Sequence, residues 1–247
     1  MSGAPAARSQ ALGGRVILVT GAAGGLGAAA AAACAQAGAT VVLLGHKVAP
    51  LNRVYDAVTA VGPEPLLYPL DFEGATPDDY AELAQRIEAD LGRLDGVLHC
   101  AAHFKGLTPL QHTDPAEFAR AIHVDLTARW WLTQACLPLL ATSDAGAVVF
   151  VIDPVDQGAS AFWGGYGLAQ QAQAALVPML QAELGDHGPR ISGLQPGPMR
   201  TGLRGRAFQP NSDIKARPAA DYAAACVDLL SAAGAAWRGK IRSSHEG

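Results

Sequence analysis

Residues 16–27, VILVTGAAGGLG, set a β-branched run against a glycine-rich turn and then an alanine-rich stretch, and few arrangements constrain a fold as tightly. The apolar run reads as a buried strand and the alanines as a helix, with Gly21, Gly25 and Gly27 in the turn between them. The three glycines then supply free φ, close approach of backbone to a pyrophosphate, and tight helix-to-strand packing. A helix opening near Leu26 aims its unpaired N–H groups at the same place, where an anion is stabilised. Thr20, Gly21, Gly25, Leu26 and Gly27 are therefore expected to form the phosphate cradle of a dinucleotide.

The rest of the chain repeats the pattern. Short apolar runs at 40–44, 66–70, 96–100, 147–152 and 191–195 read as strands, with a weak last strand at 240–242. Between them lie helical patterns at 51–61, 78–91, 115–140, 166–184 (with a kink expected at Pro178) and 219–231. Alternation at this spacing predicts one α/β unit, a doubly wound parallel sheet with right-handed crossovers. A chain of 247 residues is long enough for one such domain, expected over 15–247. The opening MSGAPAARSQALGG (1–14) is expected to be a flexible tail, and the irregular stretch 199–217 a mobile lid.

Composition narrows the function. The net charge is −4 and no basic run is present, so no nucleic-acid partner is expected. No apolar stretch is long enough to predict a membrane span. Cys34, Cys100, Cys136 and Cys226 are scattered without a C-x-x-C pair, which predicts reduced core thiols, no metal site and a cytoplasmic address.

The end of the second strand bears on which dinucleotide is bound. An acid there would hold a ribose 2′-hydroxyl and repel a 2′-phosphate. This chain offers Leu44, Gly45, His46 and Lys47 instead, and Lys47, with His46 when protonated, suits the extra phosphate. NADP(H) is expected over NAD(H). Asp71, just after the third strand, is placed either for the adenine amino group or for an ordinary turn.

The chain resembles the short-chain dehydrogenase/reductase family over nearly its whole length. The likeness rests on TGAAGGLG (20–27), the Leu70–Asp71 pair, LDGVLHCAA (94–102), Tyr166 with Gln170 four residues on, and PGPMRT (196–201). It implies a Rossmann-type single domain, a nicotinamide cofactor, and a homo-oligomer, dimer or tetramer, built on the two long helices. It also implies cofactor contacts from Cys100, Ala101, Ala102, Pro196, Gly197 and Thr201, with Arg200 beside them.

The family's catalytic tetrad of Asn, Ser, Tyr and Lys survives here only as Tyr166. Its lysine position is Gln170, its serine position Asp153 and its asparagine position Asp125, while the family's N-N-A-G stretch is His99, Cys100, Ala101 and Ala102. Hydride transfer to a carbonyl needs a proton delivered to the developing alkoxide. Bringing a tyrosine from about 10 to near 7 takes roughly 4 kcal/mol of preferential stabilisation of the phenolate. Gln170 carries no charge for that purpose, and an ionised Asp153 beside Tyr166 opposes it. An ionised Asp153 also lacks the proton with which a serine would hold the substrate oxygen.

Two functions follow. One is an NADP(H)-binding protein with weak or no ordinary hydride transfer; the other is an active NADP-dependent carbonyl reductase or alcohol dehydrogenase using a rearranged acid. For the second, His103 and Lys105 after the fourth strand, or a protonated Asp153, are the candidate groups. The alternative for His103 and Lys105 is a solvated loop. Trp130, Trp131 and Trp163 read as core, subunit contact or pocket wall. Arg204, Arg206 and Phe208 on the expected lid suit an anionic or an apolar group.

Overall fold

The computed structural model describes residues 10–153, 161–209 and 215–244. The β-branched run forms β1 (Val16–Thr20), buried at every position. Chain reversal through the glycine turn leads to α1 (Gly25–Gln36) and then to β2 (Thr40–Gly45) and α2 (Val48–Thr59). β3 (Leu66–Pro69) precedes α3 (Pro77–Leu91), which opens on a capping box in which Asp79 accepts from the Thr76 amide at 2.7 Å. Next come β4 (Gly96–His99), α4 (Pro115–Ile122), α5 (Ala128–Ala141), β5 (Ala147–Val151), α6 (Gly164–Leu184) and β6 (Arg190–Gln195). A two-residue pair, β7 (Met199–Arg200) with β8 (Arg217–Pro218), stands apart, and α7 (Ala223–Leu230) leads to β9 (Ile241–Ser243).

The central sheet has the order β3-β2-β1-β4-β5-β6-β9, every neighbouring pair parallel. Alternation along the strands fills two cores. Ile17, Val19, Val41 and Leu43 meet α1, α2 and α7, whereas Leu18, Val42, Leu44 and Val97 meet α3, α5 and α6. Both faces are covered, as a parallel sheet requires. Order reverses between β1 and β4, so the crevice for a ligand lies at the C-terminal ends of those two strands.

Several expectations change in detail. The tail is shorter than expected: Leu12 is wholly buried and its amide donates to the Ala37 carbonyl at 2.9 Å, a single leucine among small residues being too weak a pattern to read. Residues 1–9 lie outside the described residues. The long helix over 115–140 carries a π-helical turn, His123–Thr127, between α4 and α5, a local widening that periodicity does not reveal. α6 runs unbroken through Pro178. The expected lid contains β7 and a 3₁₀ turn, Arg204–Arg206, and its residues 210–214 lie outside the described residues. The four cysteines are free thiols: Cys34, Cys136 and Cys226 are buried in the core while Cys100 is half-buried, and burial pushes the thiols of Cys34, Cys100 and Cys136 up to about 12. Among the described residues no helix is long and apolar enough to cross a membrane.

Candidate functional site

The turn after β1 is compatible only with glycine at its two tightest points. Gly21 has φ +61°, and a Cβ there would lie 2.6 Å from the Ala101 backbone; a Cβ on Gly27 would lie 2.2 Å from the Gly21 carbonyl oxygen. The turn and the loop after β4 are also tied together by Thr20, whose Oγ1 accepts from the Cys100 and Ala101 amides, both at 3.1 Å. No side chain caps α1 at Gly24, so its N-terminus faces the crevice without a competing carboxylate.

Above this turn lies a cavity of about 610 Å³. It is lined by Gly21, Gly25, Leu26 and Gly27 of the glycine turn, by His46, Lys47 and Asp71 after β2 and β3, and by Cys100, Ala101 and Ala102 after β4. Pro196, Gly197 and Thr201 after β6 line it too, with Asp153, Tyr166 and Gln170. Residues spread over nearly the whole sequence thus meet around one space, of the size that drug- and cofactor-sized ligands occupy. Thr20 and Asp125 belong behind this surface instead, both wholly buried, with Thr20 spent on two amides. Asp71 shows its turn role as well, since its Oδ1 accepts from the Glu73 amide at 3.1 Å. Arg200 turns away and donates to the Ala216 carbonyl at 3.1 Å.

Tyr166, Gln170 and Gln173 share the buried face of α6. The Tyr166 hydroxyl donates to Asp153 Oδ2 at 3.1 Å, and the Asp153 amide donates to Gln170 Oε1 at 2.9 Å. Burial foremost, then the Asp153 and Asp125 carboxyls, push the phenol well above its usual pKa. Burial also raises Asp153, against the hydrogen bond from Tyr166 and the Arg204 charge. The sequence-based expectation for the phenol therefore holds in direction.

It fails in one respect. Arg129, which sequence reasoning passed over, lines the cavity, is 1% exposed, and acts on Tyr166 in the lowering direction. Its Nη1 donates to the Val151 carbonyl at 3.1 Å and to Gln173, and its Nη2 donates to the Ala101 carbonyl. Asp125 Oδ1 stands 3.5 Å from Nη2, and the same carboxylate accepts from the His103 amide at 3.0 Å. The available signal was an acid and an arginine four residues apart, in phase with the apolar face of Ala128, Leu132 and Cys136.

Lys105 is an exposed loop lysine, as the solvated reading expects, whereas His103 is half-buried. Both pair with Glu117, which also pairs with Arg120 at 2.7 Å, and Arg120 in turn holds Glu73 at 2.7 Å. His99 is buried neutral, pushed down by burial, with Nε2 2.9 Å from Thr133 Oγ1 and its ring stacked on Phe150 at 4.7 Å. Trp163 stacks on Phe104 at 5.0 Å and lies 5.9 Å from Tyr166, but it lines a separate, smaller pocket beside Phe104 and not the main cavity, while Trp131 packs on Tyr80 and Trp130 is exposed. Among the described residues no cluster suits a metal ion.

Comparison with known proteins settles the lineage. The short chain dehydrogenase family model matches residues 15–212. The chain belongs to the short chain dehydrogenase family. The uncharacterized oxidoreductase YciK of Escherichia coli (strain K12) is 36% identical over 208 residues, covering 84% of this chain and 82% of the relative. A short chain dehydrogenase from Pseudomonas syringae, at 38% identity, superimposes with a TM-score of 0.89 over 96% of this chain and 97% of its own. A second, from Shigella flexneri 2a str. 301 and complexed with NADP, is 33% identical with a TM-score of 0.91, covering 96% and 99%. Membership in this oxidoreductase family accounts for the sheet order and for the position of the cavity at the ends of β1 and β4.

Proposed function

We propose that this protein binds NADP(H) in the cavity above the glycine turn and is an oxidoreductase whose ordinary hydride transfer is slow. Cofactor binding is supported by the two glycines that admit no side chain and by a single cavity that both Gly21 and Tyr166 line. The NADP complex of the Shigella relative supports the same choice. Lys47 and His46 are exposed on the flank after β2, where a 2′-phosphate would gain a cation and meet no acid of that strand. When bound, the nicotinamide supplies or accepts the hydride.

The observation that carries the slow chemistry is the Tyr166–Asp153 hydrogen bond. A phenol held on a carboxyl, with glutamine at position 170, is a weak acid toward a substrate oxygen. Titration calorimetry is expected to show NADPH binding more tightly than NADH, and Lys47→Glu to reduce that preference by at least about tenfold. NADPH consumption against a panel of carbonyls is expected to be slow. Sustained turnover that Tyr166→Phe abolishes would overturn the slow assignment, and failure to bind either dinucleotide would overturn the whole reading.

A second copy of the chain is the partner we infer, at a cytoplasmic location consistent with four free thiols. Trp130 on α5 and Leu168 and Met179 on α6 are 43%, 54% and 57% exposed, and the two α6 residues lie eleven apart on one helical face. Light scattering is expected to give a dimer or tetramer, and Leu168→Arg with Met179→Arg to give smaller particles. A wild-type monomer at micromolar concentration would count against it.

A further inference from the structure

The Tyr166 phenol and the Asp153 carboxyl line the cavity, the Asp125 carboxyl lies buried behind it, and one buried guanidinium acts on Tyr166 and Asp125. Asp153 accepts from Tyr166, and Asp125 lies within the π-helical turn, wholly buried. Arg129 follows Asp125 by four residues and is among the largest side chains fully removed from solvent. Its contacts reach three separate elements: the Ala101 carbonyl beyond β4, the Val151 carbonyl ending β5, and Gln173 on α6. Its Nε has no partner, so the group is not held by a saturated set of bonds. A buried charge in this state is costly unless a counter-charge is close, and Asp125 is that counter-charge.

We propose that Arg129 is the positioning residue that supplies the internal positive charge of this site from α5, where position 170 on α6 has none. It does two things. It holds Asp125 as its ion-pair partner, and Asp125 in turn fixes the His103 amide, so that residues 101–103 form a firm wall of the cavity. It also offsets the field of the two carboxyls at Tyr166. The groups facing it are Asp125 from the π-helical turn, His99 and Cys100 from the end of β4, and Tyr166 from α6; Asp153 follows β5 and answers to Arg204. Of these, His99 is neutral and the Cys100 thiol is pushed up to about 12, so Asp125 is the carboxyl paired with Arg129, raised by burial against the lowering pull of the arginine.

The inference rests on the reading of the cavity as the dinucleotide site, and the test separates the two. Carboxyl ¹³C NMR of the full-length labelled chain, with Asp125→Asn as the assignment reference, follows Asp125 through pH in the wild type, Arg129→Gln and Arg129→Lys. Arg129→Gln is expected to raise the proton affinity of Asp125 at least about tenfold, as loss of an opposite charge this close does. Arg129→Lys is expected to keep that affinity within about threefold of wild type, because the charge remains although the planar fork is lost. NADPH, titrated by calorimetry, is expected to bind Arg129→Gln about tenfold more weakly, because the wall at 101–103 loosens. An unchanged Asp125 titration in folded Arg129→Gln overturns the proposal. Should Arg129→Gln not fold, an Asp125 midpoint displaced upward in Arg129→Lys overturns it. Failure of the wild type to bind NADPH sinks the dinucleotide reading, and the Asp125 titration still decides the role of Arg129.

Discussion

Asp153→Ser and Gln170→Lys introduced together are expected to raise carbonyl-dependent NADPH oxidation by about 10²-fold or more, the scale on which a well-placed acid contributes. In the wild type the Tyr166 hydroxyl is donated to Asp153, and burial and that carboxyl both hold the proton on the phenol. Serine removes the repulsion and leaves a hydroxyl able to donate to a substrate oxygen. Lysine one turn along α6 adds a cation where the neutral Gln170 side chain now accepts from the Asp153 amide. Each change alone is expected to give much less: Gln170→Lys would pair with Asp153, and Asp153→Ser would remove a negative charge without adding a positive one. The pH profile of the double variant should also move toward neutrality, because stabilising the phenolate lowers the phenol pKa. A double variant that folds, binds NADPH and gains nothing would show that the obstacle lies elsewhere than at Tyr166.

That experiment is possible because the fold-determining parts of this sequence were legible. The turn over 20–27 declares itself through glycines whose neighbours tolerate no Cβ, and strands buried on both faces read as plain apolar runs. The replaced tetrad positions were equally readable, and Asp153, Tyr166 and Gln170 meet in one hydrogen-bonded chain. What stayed hidden depends on helical phase and long-range contact. The π-helical turn at His123–Thr127 directs Asp125 inward, and hydropathy along the chain carries no mark of that widening. Arg129 was invisible for a related reason, since an arginine on a long helix ordinarily reaches solvent, and only the assembled ends of β4 and β5 supply its acceptors. The Glu73–Arg120–Glu117–His103 chain likewise joins segments that sequence distance separates.

Asp95→Ala is expected to destabilise the fold by about 3 kcal/mol at neutral pH, a fall of roughly 6–12 °C in Tm for a chain of this size. Asp95 opens the turn into β4 and is 1% exposed. Its Oδ2 accepts from the Val16 amide at 2.8 Å, where β1 begins, and its two oxygens take Arg93 as a fork, Nε and Nη2 each at 2.8 Å. Ser143, ahead of β5, donates to Oδ1. One carboxylate therefore ties the starts of three adjacent central strands. Arg93 is half exposed, so its pairing is screened; the larger loss is the buried Val16 amide left without an acceptor. Burial by itself would raise this carboxyl, but the bonds from Arg93, Ser143 and Val16 outweigh it and hold the group below its usual range. With a lowered folded pKa, the stabilisation is present above the unfolded value of about 3.9 and is lost as pH falls through the folded one. Urea unfolding of the wild type and Asp95→Ala should therefore differ most at pH 7 and converge in acid. Asp95→Asn, which keeps an acceptor for Val16, should lose less. Equal midpoints for wild type and Asp95→Ala at pH 7 would mean that the three strands are aligned by their packing alone.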